Sequence, residues 1–353
     1  MSVANPRIAV LGSGANGASI GADLTRAGLD VTLIEQWPAH VEAMRANGVR
    51  IEMQEQTFTQ PVTVFHLCEV ATFTEKFDIV FLLMKAYDTR WATHLIEPHL
   101  ADDGLVVGVQ NGMTADIIAE VVGAKRTMGC VIEISSTMFD PGIVQRDSPP
   151  SRSWFAVGAL DDASKHRESQ VAALLGESGT VETAENIRAM KWMKLVSNAT
   201  TLVTTAIVGL PMLEAVELPG MRELMLRSGQ EALDAGAAQG YPVLPIFGLK
   251  ADDLTVSAEI VETLLDTLLA GFVRSSTKTT VLQDWIKGRH SEVDDLNGTV
   301  VAEARRLGLD APVNAAVVEL AGRIERGELT AGTHNVDLLR EIAGLPAVIK
   351  EAS

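Results

Sequence analysis

The chain has 353 residues, 47% hydrophobic and 21% charged, which suits a soluble globular protein and is too long for one core of the usual size. A formal charge of -17 at pH 7 argues against nucleic-acid and anionic-membrane partners, because phosphate-rich surfaces call for clustered Lys and Arg. Two distant cysteines, Cys68 and Cys130, and seven histidines with no H-x-x-x-H or H-E-x-x-H spacing argue against a disulfide framework and a protein-built metal site.

The N-terminus MSVANPRIAVLG has no basic n-region followed by an apolar h-region, so a reducing cytosol is the expected location. RIAVLG reads as a first strand, ANGASIGADLTRAG as a helix closed by Gly28, and DVTLIEQ as a second strand. IVFLLMK after Asp78 is an apolar run too short for a helix and suited to a strand buried on both faces. LVVGVQNG repeats the strand-then-turn pattern. TMGCVIEIS, GIVQR and SWFAVGAL predict further strands, with RDSPPSRS as a loop or hairpin tip.

From about Ala184 helical periodicity takes over, in NIRAMKWMKLVSNA, LPGMRELMLRSGQEALDAGAAQG, SAEIVETLLDTLLAGFVRSS, VDDLNGTVVAEARRLG and PVNAAVVELAGRIERG. The tail THNVDLLREIAGLPAVIKEAS reads as a short helix or a frayed end. The expected architecture is an α/β domain over 1–184 and an all-α domain over 185–353. Leu195 to Leu213 runs nineteen residues without a charge, nearly long enough to span a bilayer. Asn198 and four threonines, Thr200, Thr201, Thr204 and Thr205, make it too polar for a lone span, and a buried or active-site helix is expected instead.

Gly12-Ser13-Gly14-Ala15-Asn16-Gly17 is a G-x-G-x-x-G loop that follows a strand and opens a helix, the context that makes this pattern specific. Its first glycine permits the tight turn, its second lets backbone approach a pyrophosphate, and its third lets helix pack on strand. The helix N-terminus then offers N–H groups and a positive dipole end to the phosphates. Glu35 closes the second strand, where an acid accepts hydrogen bonds from the adenosine ribose 2′-OH and repels a 2′-phosphate. No Arg or Lys follows within IEQWPAH, which favours NAD, with NADP as the alternative.

Five motifs stand in one order: GSGANG, MKAYD from Met84 to Asp88, QNGM, KLVSNA, and TTVLQD with Glu292 beyond it. Together, from Ile8 to about Leu307, they resemble the ketopantoate reductase (2-dehydropantoate 2-reductase) family. The resemblance implies a Rossmann N-domain, a helical C-domain like that of 6-phosphogluconate dehydrogenases, and an active site in the cleft between them. It also implies a small-molecule carbonyl or hydroxy substrate and makes a homodimer plausible. Carried over by position, Lys194 falls on the catalytic proton donor and Glu292 on the acid beside it. Asn111 falls on the asparagine near nicotinamide and substrate, and Lys85 on the lysine beside the cofactor. Asn198 matches the asparagine four residues after the lysine, and Thr280 replaces a serine that binds the substrate carboxylate.

The residues support the same roles on their own terms. Lys194 and Asn198 are i and i+4 and share one helical face, while Lys191, a turn earlier, reads as their solvated partner. Reducing a ketone places negative charge on its oxygen, which a cation able to give up a proton both stabilises and quenches.

The pattern also departs from the family. Leu202 stands where a second substrate-contacting asparagine is usual, and Met212 after Pro211 where a polar asparagine is frequent. Ile132-Glu133 replaces a common Thr-His, with Glu133 reading as a solvated loop acid ahead of a cleft-lining one, and Glu35 replaces a basic preference for NADP. Losing two hydrogen-bonding positions should redirect specificity toward a bulkier or more apolar 2-oxo acid or ketone, or its secondary alcohol run oxidatively. True ketopantoate reduction is the nearer alternative, and a non-catalytic dinucleotide sensor the more distant one.

Overall fold

The computed structural model describes residues 5–254 and 259–347 and divides into two compact units, Met1–Lys191 and Trp192–Ser353. The division falls inside the helix that runs Ile187–Ile207, whose first turn belongs to the first unit.

The first unit runs β1 (Arg7–Leu11), α1 (Ala15–Arg26), β2 (Asp30–Glu35), α2 (Pro38–Asn47), β3 (Val49–Glu52), β4 (Thr57–Gln60), β5 (Thr63–His66) and β6 (Phe77–Leu82). It continues through α3 (Thr89–Ile96), β7 (Leu100–Val109), α4 (Ala115–Val122), β8 (Thr127–Glu133), β9 (Ser136–Thr137), β10 (Ile143–Arg146), β11 (Trp154–Ala159), α5 (Glu168–Leu175) and β12 (Thr180–Thr183). An eight-stranded sheet has the order β12-β11-β8-β7-β6-β1-β2-β5, parallel except where β11 pairs antiparallel with β8. Around β1 this is the strand order of a dinucleotide-binding sheet, with the connection reversing between β1 and β6. Strand alternation feeds two cores. Ile8, Val10 and Phe81 pack on one face, and Ala9, Leu11 and Val80 on the other. Each large apolar side chain so buried stabilises the fold by roughly 1.5–3 kcal/mol.

A second sheet, β4-β3-β10-β9, has no counterpart in the sequence expectations beyond β10. Its strands are two to four residues long, and β4 is half exposed, so period-2 hydrophobicity barely registers there. Arg146 on β10 fixes this sheet to α1. Its fully buried guanidinium donates to Asp23 Oδ2 at 2.5 Å, Ser148 O at 2.8 Å, Ser153 Oγ at 3.1 Å and Ser178 O at 2.7 Å.

Helix α6 (Ile187–Ile207) is followed in the second unit by α7 (Met212–Val216), α8 (Met221–Ala238), α9 (Ile260–Gly271), α10 (Thr280–Ile286), α11 (Thr299–Leu307), α12 (Pro312–Glu325) and α13 (Asn335–Ile342). Ser257 and Ala258 of the expected helix before α9, and the last residues of the tail, lie outside the described residues. A π-helical turn over Asp294–Gly298 replaces the start of the regular helix expected in VDDLNGTVVAEARRLG. There Asn297, fully buried, donates to Ala199 O at 3.2 Å and Asn314 Oδ1 at 2.8 Å.

No described helix is long and apolar enough to cross a membrane. The uncharged stretch of α6 is core instead, and its threonines bond back along the helix. Thr200, Thr201, Thr204 and Thr205 each donate their hydroxyl to the carbonyl four residues earlier at 2.7–2.8 Å. Small residues let α8 approach α6 closely. A Cβ on Gly229 would sit 2.2 Å from Thr200 Oγ1, and one on Gly236 2.2 Å from Trp192 Nε1, which donates to Ala232 O at 2.9 Å.

Candidate active site

In the first unit the glycine-rich loop sits at the carboxyl ends of β1 and β2. Ile34 O accepts Gly12 N–H at 2.9 Å and Ser13 N–H at 3.3 Å, which places Glu35 beside the loop. Gly12 has φ +95°, and a Cβ there would lie 2.6 Å from Met84 N. One on Gly17 would lie 2.1 Å from Gly12 O, whereas one on Gly14 meets nothing within 4 Å. Two glycines thus serve packing and the middle one faces open space, which fits a pyrophosphate laid against the backbone. Glu35 is buried, and its Oε1 accepts the Trp37 N–H at 2.9 Å.

Two side chains outside the motif hold this loop. His40 on α2 is fully buried, with Nδ1 accepting the Gly142 N–H at 2.8 Å. An amide only donates, so the proton resides on Nε2, which donates to Ser13 O at 3.0 Å. Ser136 on β9 donates to Asn16 Oδ1 at 2.5 Å. Gly142 stands 102 positions from His40 and Ser136 stands 120 from Asn16, pairings that no local spacing announces.

Across the β1–β6 switch, Gln110 Nε2 donates to Met84 O at 2.6 Å and Thr89 Oγ1 at 3.0 Å, tying the turn of Lys85 to the turn of Asn111. Lys85 and Asn111 are both half-buried. Lys191 is not the solvated lysine expected of it: it is buried, and Nζ donates to Gln110 O at 2.8 Å and Cys130 O at 3.3 Å. A lysine one turn from another reads as surface in a sequence, but here two carbonyls take it in, Gln110 O just past β7 and Cys130 O midway along β8. Glu133 is likewise not a loop acid but the half-buried last residue of β8.

Burial pushes the Lys191 ammonium down from 10.5 to about 8 and the neighbouring Cys130 thiol up from 9.0 to about 12. Between about pH 8 and 9 the unfolded chain therefore binds more protons at Lys191 than the folded one, and stability should rise with pH. Above 9 the buried thiol keeps a proton that the unfolded thiol gives up, which opposes the rise. Urea unfolding of Lys191→Met should lose the pH 8–9 increase seen in the native protein; an unchanged slope would refute the burial of this lysine.

In the second unit Lys194 and Asn198 are buried on α6, and Leu202, one turn further, is half-buried. The Lys194 Nζ lies 4.8 Å from the centroid of the Phe247 ring. Thr279 caps α10 and donates to Leu202 O at 2.9 Å, seating the α10 N-terminus against α6. Thr280 follows it, with a buried hydroxyl that has no hydrogen-bond partner among the described residues. Glu292 is buried just before the π turn, whose Asn297 bonds the carbonyl of Ala199, next to Asn198. Asp295, in that turn, has its carboxyl pushed up to about 6, by burial first and then by Glu292 and Asp294. Met212 is buried at the start of α7. Among the described residues no group of three or more His, Cys, Asp or Glu could hold a metal ion.

The model for ketopantoate reductase PanE/ApbA matches residues 8–159, and that for the ketopantoate reductase PanE/ApbA C terminal matches residues 186–325. The chain belongs to the ketopantoate reductase family. It is a ketopantoate reductase-like oxidoreductase acting on CH–OH groups, with the parallel-rich N-terminal sheet and helical C-terminal domain of that family. A 2-dehydropantoate 2-reductase of Archaeoglobus fulgidus is 26% identical over 91% of this chain and 98% of its own length. One from Halobacterium salinarum is 26% identical over 91% and 99%. Among solved structures, a PanE/ApbA family ketopantoate reductase of Ralstonia eutropha has TM-score 0.76 at 26% identity, covering 91% of this chain and 99% of that one. D-mandelate dehydrogenase with NADH and anilino(oxo)acetate has TM-score 0.81 at 20% identity over 91% and 99%, a likeness of fold.

Proposed function

We propose that this ketopantoate reductase family member is an NAD-dependent reductase of 2-oxo acids whose side chains are bulkier or more apolar than that of ketopantoate. The observation that carries the substrate reading is Leu202. On the face of α6 that bears Lys194 and Asn198, it is the half-buried position, and it is apolar. A hydrocarbon wall there cannot satisfy a substrate hydroxyl and suits an aryl or branched chain.

A nicotinamide cofactor bound by this chain would supply the hydride for the carbonyl carbon. Lys194 stabilises the charge gathering on the carbonyl oxygen and gives it a proton, completing a 2-hydroxy acid. Glu292 keeps Lys194 oriented, Asn198 and Asn111 donate to the substrate, and the Thr280 hydroxyl meets the substrate carboxylate. Gly12, Ser13, Gly14, Ala15, Asn16 and Gly17 seat the pyrophosphate, with Lys85 beside the cofactor. Glu35 accepts from the ribose 2′-OH. It is already oriented by the Trp37 amide, so a 2′-phosphate would meet a fixed carboxylate. The NADH-bound state of the similarly folded D-mandelate dehydrogenase supports this reading. A cytosolic homodimer is proposed as well, a reducing compartment suiting the exposed free thiol of Cys68.

Steady-state rates with ketopantoate, phenylglyoxylate and 4-methyl-2-oxopentanoate, each with NADH and NADPH, test the proposal. Expected are a kcat/KM at least about tenfold higher with NADH, worth some 1.4 kcal/mol at the ribose, and a preference for the two larger-chain acids. Ketopantoate with NADPH as the best pair would establish the second reading, true 2-dehydropantoate reduction, which the names of the curated relatives favour.

A further inference from the structure

Phe247 lies in none of the motifs that mark the family, between α8 and α9. It is buried, and its φ of +62° makes it the one non-glycine residue of positive φ among the described residues. A bulky residue in the left-handed region is strained, and the conformation persists only where its surroundings over-determine it. Packing alone does not call for this: an apolar side chain can fill a core from ordinary backbone. The backbone instead delivers the ring to one place. It packs against Phe272, centroids 5.4 Å apart, and has the Lys194 ammonium 4.8 Å from its centroid. Lys194 is only 7% exposed, so little water competes with the negative face of the ring for that cation.

We propose that Phe247 is a positioning residue for Lys194, its ring face holding the ammonium aimed while hydride reaches the substrate carbonyl. This rests on Lys194 being the proton donor. Charge develops on the substrate oxygen as hydride arrives, so a cation free to swing away stabilises it less; small misplacements of a catalytic group are costly. The strained backbone fixes the ring, and the ring fixes the lysine.

The test replaces Phe247 with mono-, di- and trifluorinated phenylalanine, which drain the ring face while keeping shape and fold. Phe247→Tyr, Phe247→Leu and Lys194→Ala run beside them, with phenylglyoxylate and NADH. Expected is a stepwise fall in kcat to about a tenth with the trifluorinated ring, at unchanged melting temperature and unchanged KM for NADH. Phe247→Tyr should stay within about twofold of native and Phe247→Leu should match the trifluorinated ring, because leucine keeps bulk and lacks the π face. A flat fluorination series beside an inactive Lys194→Ala overturns the role of Phe247 alone. Native turnover by Lys194→Ala overturns the reading of Lys194 and this role with it.

Discussion

Lys194→Ala is expected to lower kcat by about 10²-fold or more while NADH binding and melting temperature stay close to native. Removing a general acid from carbonyl reduction leaves water to protonate an oxygen whose developing charge has lost its nearest cation, and each tenfold corresponds to about 1.36 kcal/mol of barrier. Lys194 is not part of the glycine-rich loop proposed to seat the dinucleotide, so fluorescence titration with NADH should show an unchanged Kd. Lys194→Arg separates the two tasks of the lysine. It restores a permanent cation that gives up no proton near neutral pH, so turnover should remain within about tenfold of the alanine variant. Near-native rates in Lys194→Arg would show that charge alone suffices, and near-native rates in Lys194→Ala would remove Lys194 from the chemistry.

Much of the fold was legible because its decisive contacts are local. The glycines of GSGANG announce a strand, a tight turn and a helix within a dozen residues, and the structure uses Gly12 and Gly17 for close approach as that spacing implies. The identity of α6 was legible from Asn198 and the threonines, which are affordable in a core only because each hydroxyl finds a carbonyl one turn back. The remainder depends on partners distant in sequence. Nothing near His40 reveals that Gly142 will fix its tautomer, and nothing near Lys191 reveals the carbonyls of Gln110 and Cys130 waiting for it. The small sheet escaped for a different reason: short, half-exposed strands bury too little on either face to impose a pattern. Phe247 escaped because a left-handed φ on a phenylalanine runs against every local preference, and only tertiary contacts select it.

Arg146→Met is expected to cost about 3–5 kcal/mol of stability, a large share of the roughly 5–15 kcal/mol available to a domain. Methionine fills most of the space, so the loss is not one of volume. It strands the Asp23 carboxylate, which is 8% exposed, and leaves Ser148 O, Ser178 O and the Ser153 hydroxyl without the donor that served all three. For a unit of this size the melting temperature should drop by roughly 6–20 °C. Because Asp23 lies on α1, whose N-terminus carries the glycine-rich loop, NADH should recover part of that loss by binding only the folded form. The pair Asp23→Leu with Arg146→Met discriminates between charge and geometry. If the stranded carboxylate dominates, the double variant should be more stable than Arg146→Met alone, since apolar replacement of both partners removes the buried charge. If it is no more stable than the single variant, the carbonyls of Ser148 and Ser178 are the greater part of the cost, and Arg146 serves chiefly as a backbone clamp between β10, the loop after it and the turn after α5. A loss under about 1 kcal/mol in Arg146→Met would contradict both, because no buried guanidinium with four partners can be removed that cheaply.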